Sequence, residues 1–157
     1  MATSPETRLE ELGIKLPATP APAGAYVPAT RAGNLIFTAG QLPLEAGELN
    51  IRGKVGDTVG VDEASEAARL CAMNALAAAS TLTGGVGGIS RIVKVTGFVA
   101  SAPSFNEQPQ VINGASEFLG EIFGKAGLHA RSAVGVAELP LDAPVEVELV
   151  VEASPDA

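Results

Sequence analysis

The stretch Ala130–Glu152, ARSAVGVAELPLDAPVEVELVVE, decides the fold. Two runs in it alternate with a period of two, Arg131 to Glu138 and Val145 to Glu152, joined through Leu139, Pro140, Leu141 and Asp142. Successive side chains leave a strand on opposite faces, so such alternation marks half-buried strands. In the second run Val145, Val147, Leu149 and Val151 share a face for helices to cover, leaving Glu146, Glu148, Val150 and Glu152 on the other. The same parity puts Ser132, Val134 and Val136 under the helices and Arg131, Ala133, Gly135 and Ala137 on the far face.

Upstream, Glu107 to Phe123 carries Val111, Ala115, Phe118 and Ile122 at helical spacing, with Pro109 in the first turn and Gly124 and Gly127 beyond the end. Before it, Arg91 to Ser101 alternates as a strand, with Val93, Val95, Gly97 and Val99 on one side and Ile92, Lys94, Thr96 and Phe98 on the other. A second helix starts at Asp62 as N-cap, loads its first turn with Glu63 and Glu66, and repeats Ala64, Ala68, Cys71, Ala75, Ala78 and Leu82 in steps of three and four. Its small-residue stripe suits close packing on a sheet. Gly84 and Gly85 stop it, and the GGVGG that follows lacks the lysine and hydroxyl of a phosphate loop.

Leu44 to Gly60 shows no sustained period and reads as an exposed loop, whereas Tyr26 to Gln41 reads as a hairpin turning at Arg31–Asn34. Residues 1–25 form an arm, with a short helical piece from Glu6 to Gly13 followed by Pro17, Pro20 and Pro22. The expected order is ββαβαββ: one α+β domain over residues 26–153, with a mixed sheet carrying two helices on one face and a tail at 154–157. The far face has no helix to cover it, which predicts an oligomer.

Ten basic against 18 acidic residues, a formal net charge of -8, count against nucleic acid as a general partner. The stretch Leu70–Ser90 has no charge, yet its alanines, interrupted by Asn74, Ser80, Thr81 and Thr83, suit a packed helix better than a membrane span. A single cysteine and an amino end without a basic and then apolar segment predict a cytoplasmic protein without a disulfide. One histidine, His129, and one cysteine, Cys71, lack partners at metal-ligand spacing, and no nucleophile-elbow sequence occurs. Arg131 and Glu146 remain, read as two charges on one sheet face. Arginine grips a carboxylate with a planar fork, and a glutamate beside it can orient water or relay a proton. The spacing equally fits a plain ion pair at a sheet edge, and Tyr26 equally fits a packed ring with a wet hydroxyl.

AYVPATRAGNLIFTAGQLP (Ala25–Pro43), MNAL (Met73–Leu76), RIVKVTGFVAS (Arg91–Ser101), Asn113 and ARSAVGVAELPLDAPVEVELV (Ala130–Val150) together resemble the RidA (YjgF-type) family from about Tyr26 to Val151. Leu12, Gly13, Leu16 and Pro17 resemble its longer-armed subgroup. The resemblance implies a chorismate-mutase-like fold, a homotrimer with ligand clefts between subunits, and an enamine/imine deaminase that uses no cofactor. It implies that Arg131 binds the carboxylate of 2-iminopropanoate or 2-iminobutanoate, that Glu146 positions the attacking water, and that a 2-oxo acid and ammonia leave. Tyr26 and Asn113 would line or support the cleft, and the backbones of Gly40 and Ala133 would approach the ligand. Ala39 stands where the family commonly has serine, and Ala133 where many active members have cysteine. The resemblance also allows a non-catalytic trimer that binds a small carboxylate, and the ribonuclease role attached to some relatives.

Overall fold

A computed structural model describes residues 3–19, 21–22 and 24–157. The main sheet is built from β1 (Ala29–Ala32), β2 (Leu35–Thr38), β5 (Ile89–Ala100), β6 (Ala130–Val136) and β7 (Val145–Ala153), in the spatial order β1-β2-β7-β5-β6. Only β5 and β6 run parallel; β7 lies antiparallel between β2 and β5. Two helices, α2 (Val61–Ser80) and α3 (Gln108–Phe123), cover one face, as expected for α+β. A third, α1 (Pro5–Glu11), begins at Ser4, whose side chain accepts from the Thr7 amide, and docks on α3 through buried Leu9. Arg8 ties it down by donating from Nε to the Glu121 carbonyl at 2.9 Å.

The core lies between the sheet and α2 and α3, around Ile36, Leu76, Ile92, Ile112, Phe118, Leu119 and Leu149. Side-chain size sets how close the layers come. Gly97 on β5 leaves the space that Ile112 of α3 fills, and Gly114 lets α3 touch the backbone of α2 at Ser65. The α2 amino end differs from its expected cap. Gly60 is the N-cap, and its amide donates to Glu63 Oε1 at 3.3 Å, so Asp62 sits in the first turn.

The segment 44–60, expected as an exposed loop, is partly built in. Leu44–Glu45 (β3) and Glu48–Leu49 (β4) form a small hairpin, and Val55 and Val59 are buried. Val55 exchanges backbone hydrogen bonds with Ala100 and Ala102, so its lone apolar side chains go into the core at the end of the sheet. The alternation expected across Ile92 and Val93 is broken as well. A bulge between Ile92 and Lys94 turns Ile92 inward beside Val95.

Candidate functional site

The predicted site residues fall into two groups. Tyr26, Ala39, Gly40 and Glu146 gather at the β2 side of the sheet. Tyr26, Gly40 and Glu146 line a cleft of about 330 Å³ walled by Pro28, Leu42, Leu44, Pro140 and Leu141, while Ala39 joins Tyr26 in a shallower depression beside it. Asn113, Arg131 and Ala133 gather at the opposite edge, where β6 meets α3.

The shared face expected for Arg131 and Glu146 is not what the chain builds. Arg131 pairs with Val95 and Ala133 with Gly97, and Val95 pairs across with Leu149, all under the helices. Glu146 pairs with Phe98, on the uncovered face. Arg131, Ala133 and Gly135 therefore look toward α3, and Ser132 and Val134 take the far face. The reason is physical: β6 is an edge strand, half-exposed along most of its length, and its two valines, Val134 and Val136, fall in the parity of the uncovered face, with Val134 exposed, so they point to the wrong side as inward. On β7 the valines and leucine do declare it, and that assignment holds. One strand, β5, also separates β6 from β7, so the two groups cannot meet within one chain.

In the first group, Gly40 approaches Glu146 so closely that an added Cβ would stand 2.8 Å from the carboxyl carbon. Burial pushes the Glu146 carboxyl above the usual glutamate range, and the charge of Glu148 adds to the effect. The cleft wall is fastened from behind by Asn74, a buried polar residue of α2 whose Nδ2 donates to the carbonyls of Leu42 and Leu44, both at 3.0 Å. At the mouth, Leu141 and Asp142 hold φ of 60° and 62°, in the left-handed region that non-glycine residues seldom enter. Arg52 Nη1 donating to the Leu141 carbonyl at 2.6 Å, and the Gly53 amide donating to that of Asp142 at 2.9 Å, hold them there. Cys71 lies buried beneath, donating to the Val145 carbonyl; burial first, and Glu146 second, push its thiol well above the ordinary range, so it is inert.

In the second group, Arg131 Nη1 donates to Asn113 Oδ1 at 2.8 Å and to Ser116 Oγ at 3.2 Å. Among the described residues it forms no ion pair, whereas Arg8, Arg69 and Arg91 each hold a glutamate. Its guanidinium is oriented by neutral acceptors and keeps its charge for something else. Ser116 escaped the sequence reading, although it lies three residues after Asn113 and so on the same helical face. His129, considered only as a metal ligand or a triad member, contacts Ser116.

Residues 6–153 match the family model described as "YjgF/chorismate_mutase-like, putative endoribonuclease". The chain belongs to this family, the one resembled by its Ala130–Val150 segment. It is 43% identical over 145 residues to protein TCP17 of Trypanosoma cruzi, a match covering 92% of this chain and 91% of that one. It is 34% identical over 139 residues to a 2-iminobutanoate/2-iminopropanoate deaminase of Dermatophagoides farinae, covering 88% and 93% respectively. Among solved structures, an Agrobacterium tumefaciens protein of unknown function superposes with a TM-score of 0.88 at 47% identity, covering 96% of this chain and 92% of that one. No helix among the described residues is long and apolar enough to cross a membrane.

Proposed function

We propose that this protein hydrolyses reactive enamines and imines of the 2-iminopropanoate and 2-iminobutanoate type, at sites completed between the subunits of a homotrimer. The observation that carries the reading is Arg131, an arginine held by Asn113 and Ser116 with no acidic partner among the described residues, as a carboxylate receptor must be. The uncovered sheet face, with Phe37 and Val134 exposed alongside Glu146, is the surface through which copies would associate. Association would set the Arg131 edge of one copy against the Glu146 cleft of the next.

In such a site Arg131 holds the substrate carboxylate and fixes the imine carbon near Glu146. A carboxylate with a raised pKa is a stronger base than ordinary glutamate, and it takes a proton from water as the oxygen bonds to the imine carbon. The C=N π electrons pass to nitrogen, which takes the proton that Glu146 accepted from the water and so returns Glu146 to its carboxylate form. The carbinolamine then loses its C–N bond, releasing ammonia as the hydroxyl closes to the 2-oxo acid. These steps require no redox change.

A second reading, a trimer that binds a small carboxylate without turning it over, draws on Ala39, whose methyl group offers no hydroxyl at the cleft beside Gly40. Ribonuclease action is disfavoured by the net charge of -8.

The test couples an amino-acid dehydratase or oxidase to the protein and follows semicarbazone formation from several precursors. The wild type lowers the signal and Arg131→Ala does not. Co-expressing Arg131→Ala and Glu146→Gln chains, each inactive alone, restores roughly a quarter of the sites if each site draws one residue from each of two chains. Binding of 2-oxobutanoate without hydrolysis establishes the second reading, and an absence of restoration removes the interfacial site.

A further inference from the structure

The surroundings of Arg131 carry more than an anchor. His129 Nδ1 lies 2.6 Å from the carbonyl oxygen of Gly127, and its Nε2 lies 2.9 Å from Ser116 Oγ. Ser116 Oγ accepts in turn from Arg131 Nη1 at 3.2 Å, while Asn113 Oδ1 accepts from the same nitrogen at 2.8 Å. A carbonyl can only accept, so Nδ1 of His129 must carry a proton. In the neutral ring Nε2 is then an acceptor, and the Ser116 hydroxyl must donate to it. That rotation turns the lone pairs of Ser116 toward Arg131. In the neutral ring the directions of both His129 bonds thus follow from one backbone carbonyl, and the guanidinium, which has only donors, fixes the other two.

The carbonyl is itself fixed. Gly127 is buried at the turn between α3 and β6, where an added Cβ would stand 2.6 Å from the Leu119 carbonyl oxygen. Asn113 and Ser116, one turn apart on α3, hold the guanidinium that Arg131 extends from β6. With one hydrogen directed at each acceptor, Nη1 has none left for a ligand. The edge formed by Nε and Nη2 remains, the side-on fork that meets a carboxylate through two parallel hydrogen bonds.

We infer that Ser116 and His129 are positioning residues that lock the Arg131 guanidinium in one rotamer with its Nε/Nη2 edge turned out for a substrate carboxylate. The consequence for ligand binding rests on the deaminase or carboxylate-binding reading of Arg131; the lock itself does not. A guanidinium free to spin on its long side chain presents this edge only part of the time, and a fixed one loses little freedom on binding. The effect belongs to affinity for the anionic end of the substrate, away from the bond being broken.

Two measurements test it on the full-length protein. Nitrogen-15 spectra above pH 8 should show His129 as the Nδ1-protonated tautomer and the Arg131 Nη groups as resolved, slowly exchanging resonances. Ser116→Ala should merge the Arg131 resonances, and Ser116→Thr, which keeps the hydroxyl, should restore them. The dissociation constant for 2-oxobutanoate and the KM for the imino acid should rise about tenfold in Ser116→Ala, the size expected for losing a hydrogen bond to a charged group, and by a smaller factor in His129→Ala, which frees the Ser116 hydroxyl to turn, with kcat little changed in both. An Nε2-protonated His129, or Arg131 resonances indifferent to Ser116→Ala, overturns the lock. Wild-type binding that fails in Arg131→Ala but is unchanged in Ser116→Ala overturns its role in affinity and leaves the deaminase reading standing. A wild type that neither binds nor hydrolyses overturns that reading, and the spectra still decide the lock.

Discussion

Replacing Gly114 by alanine puts a methyl group where the carbonyl oxygen of Ser65 already stands, with the carbonyl carbon and Ser65 Oγ both 2.8 Å away. The obstacle is backbone of α2 and cannot swing aside. The helices must part by roughly 1.5 Å to restore ordinary contact, and a gap of that size forfeits about half or more of each facing dispersion well. Overpacking a tight core costs about 1–3 kcal/mol, and a backbone obstacle selects the upper end. Glycine to alanine inside a helix returns about 1 kcal/mol. The net is a loss of about 2 kcal/mol, which lowers Tm by roughly 4–8 °C in a chain of this size. Gly120 on the same helix supplies the control, since nothing lies within 4 Å of its added Cβ. Gly120→Ala should therefore raise Tm by roughly 2–4 °C through propensity alone. Calorimetry on both variants is the assay. A Gly114→Ala protein as stable as Gly120→Ala would refute the close approach of α2 and α3.

Glu146 predicts a pH dependence of definite sign. Its folded pKa is raised, so between the ordinary glutamate value and the raised one the folded state holds more protons than the unfolded, and stability falls as pH rises through that window. Glu146→Gln should accordingly gain Tm over wild type at pH 7 and lose the advantage below about pH 4, read by melting curves at both values; a gain that persists in acid refutes the assignment. Gly40→Ala should displace the flexible Glu146 carboxylate rather than any backbone, leaving Tm within about 2 °C of wild type while imino-acid hydrolysis falls. A large loss of Tm, or full activity, would contradict the contact.

Large apolar side chains made the fold legible, and their absence set the limits. Val145, Val147, Leu149 and Val151 declare the inward face of β7, and Val111, Ala115, Phe118 and Ile122 that of α3; all are buried as their periods demand. On the edge strand β6 the apolar residues Val134 and Val136 take the uncovered face, so their period signals the wrong side and the face of Arg131 is the reverse of the one expected. The bulge near Val93 leaves no trace in composition, because it is a property of the pairing between strands. Single valines at 55 and 59 make no period, yet each is enough to sink a loop into the core. The members of the candidate site come from the resemblance, and their separation onto two edges of the sheet has no signal in the sequence. His129 went unassigned because one of its partners is the Gly127 carbonyl, to which no residue type in the sequence points, and Ser116 because its link to Arg131 depends on which face of β6 meets α3.

Eight of the eleven buried residues of α2 are alanines. An alanine side chain has no rotamers to lose, so ordering this surface costs almost nothing in side-chain entropy. It also gives each position little room to change. A larger residue strikes the sheet or α3, and glycine loosens the helix by about 1 kcal/mol. The helix behaves as a die stamped to one thickness. Sequence change that reshapes the Glu146 cleft must therefore be accommodated elsewhere, in the loops that wall it and in the arm before them.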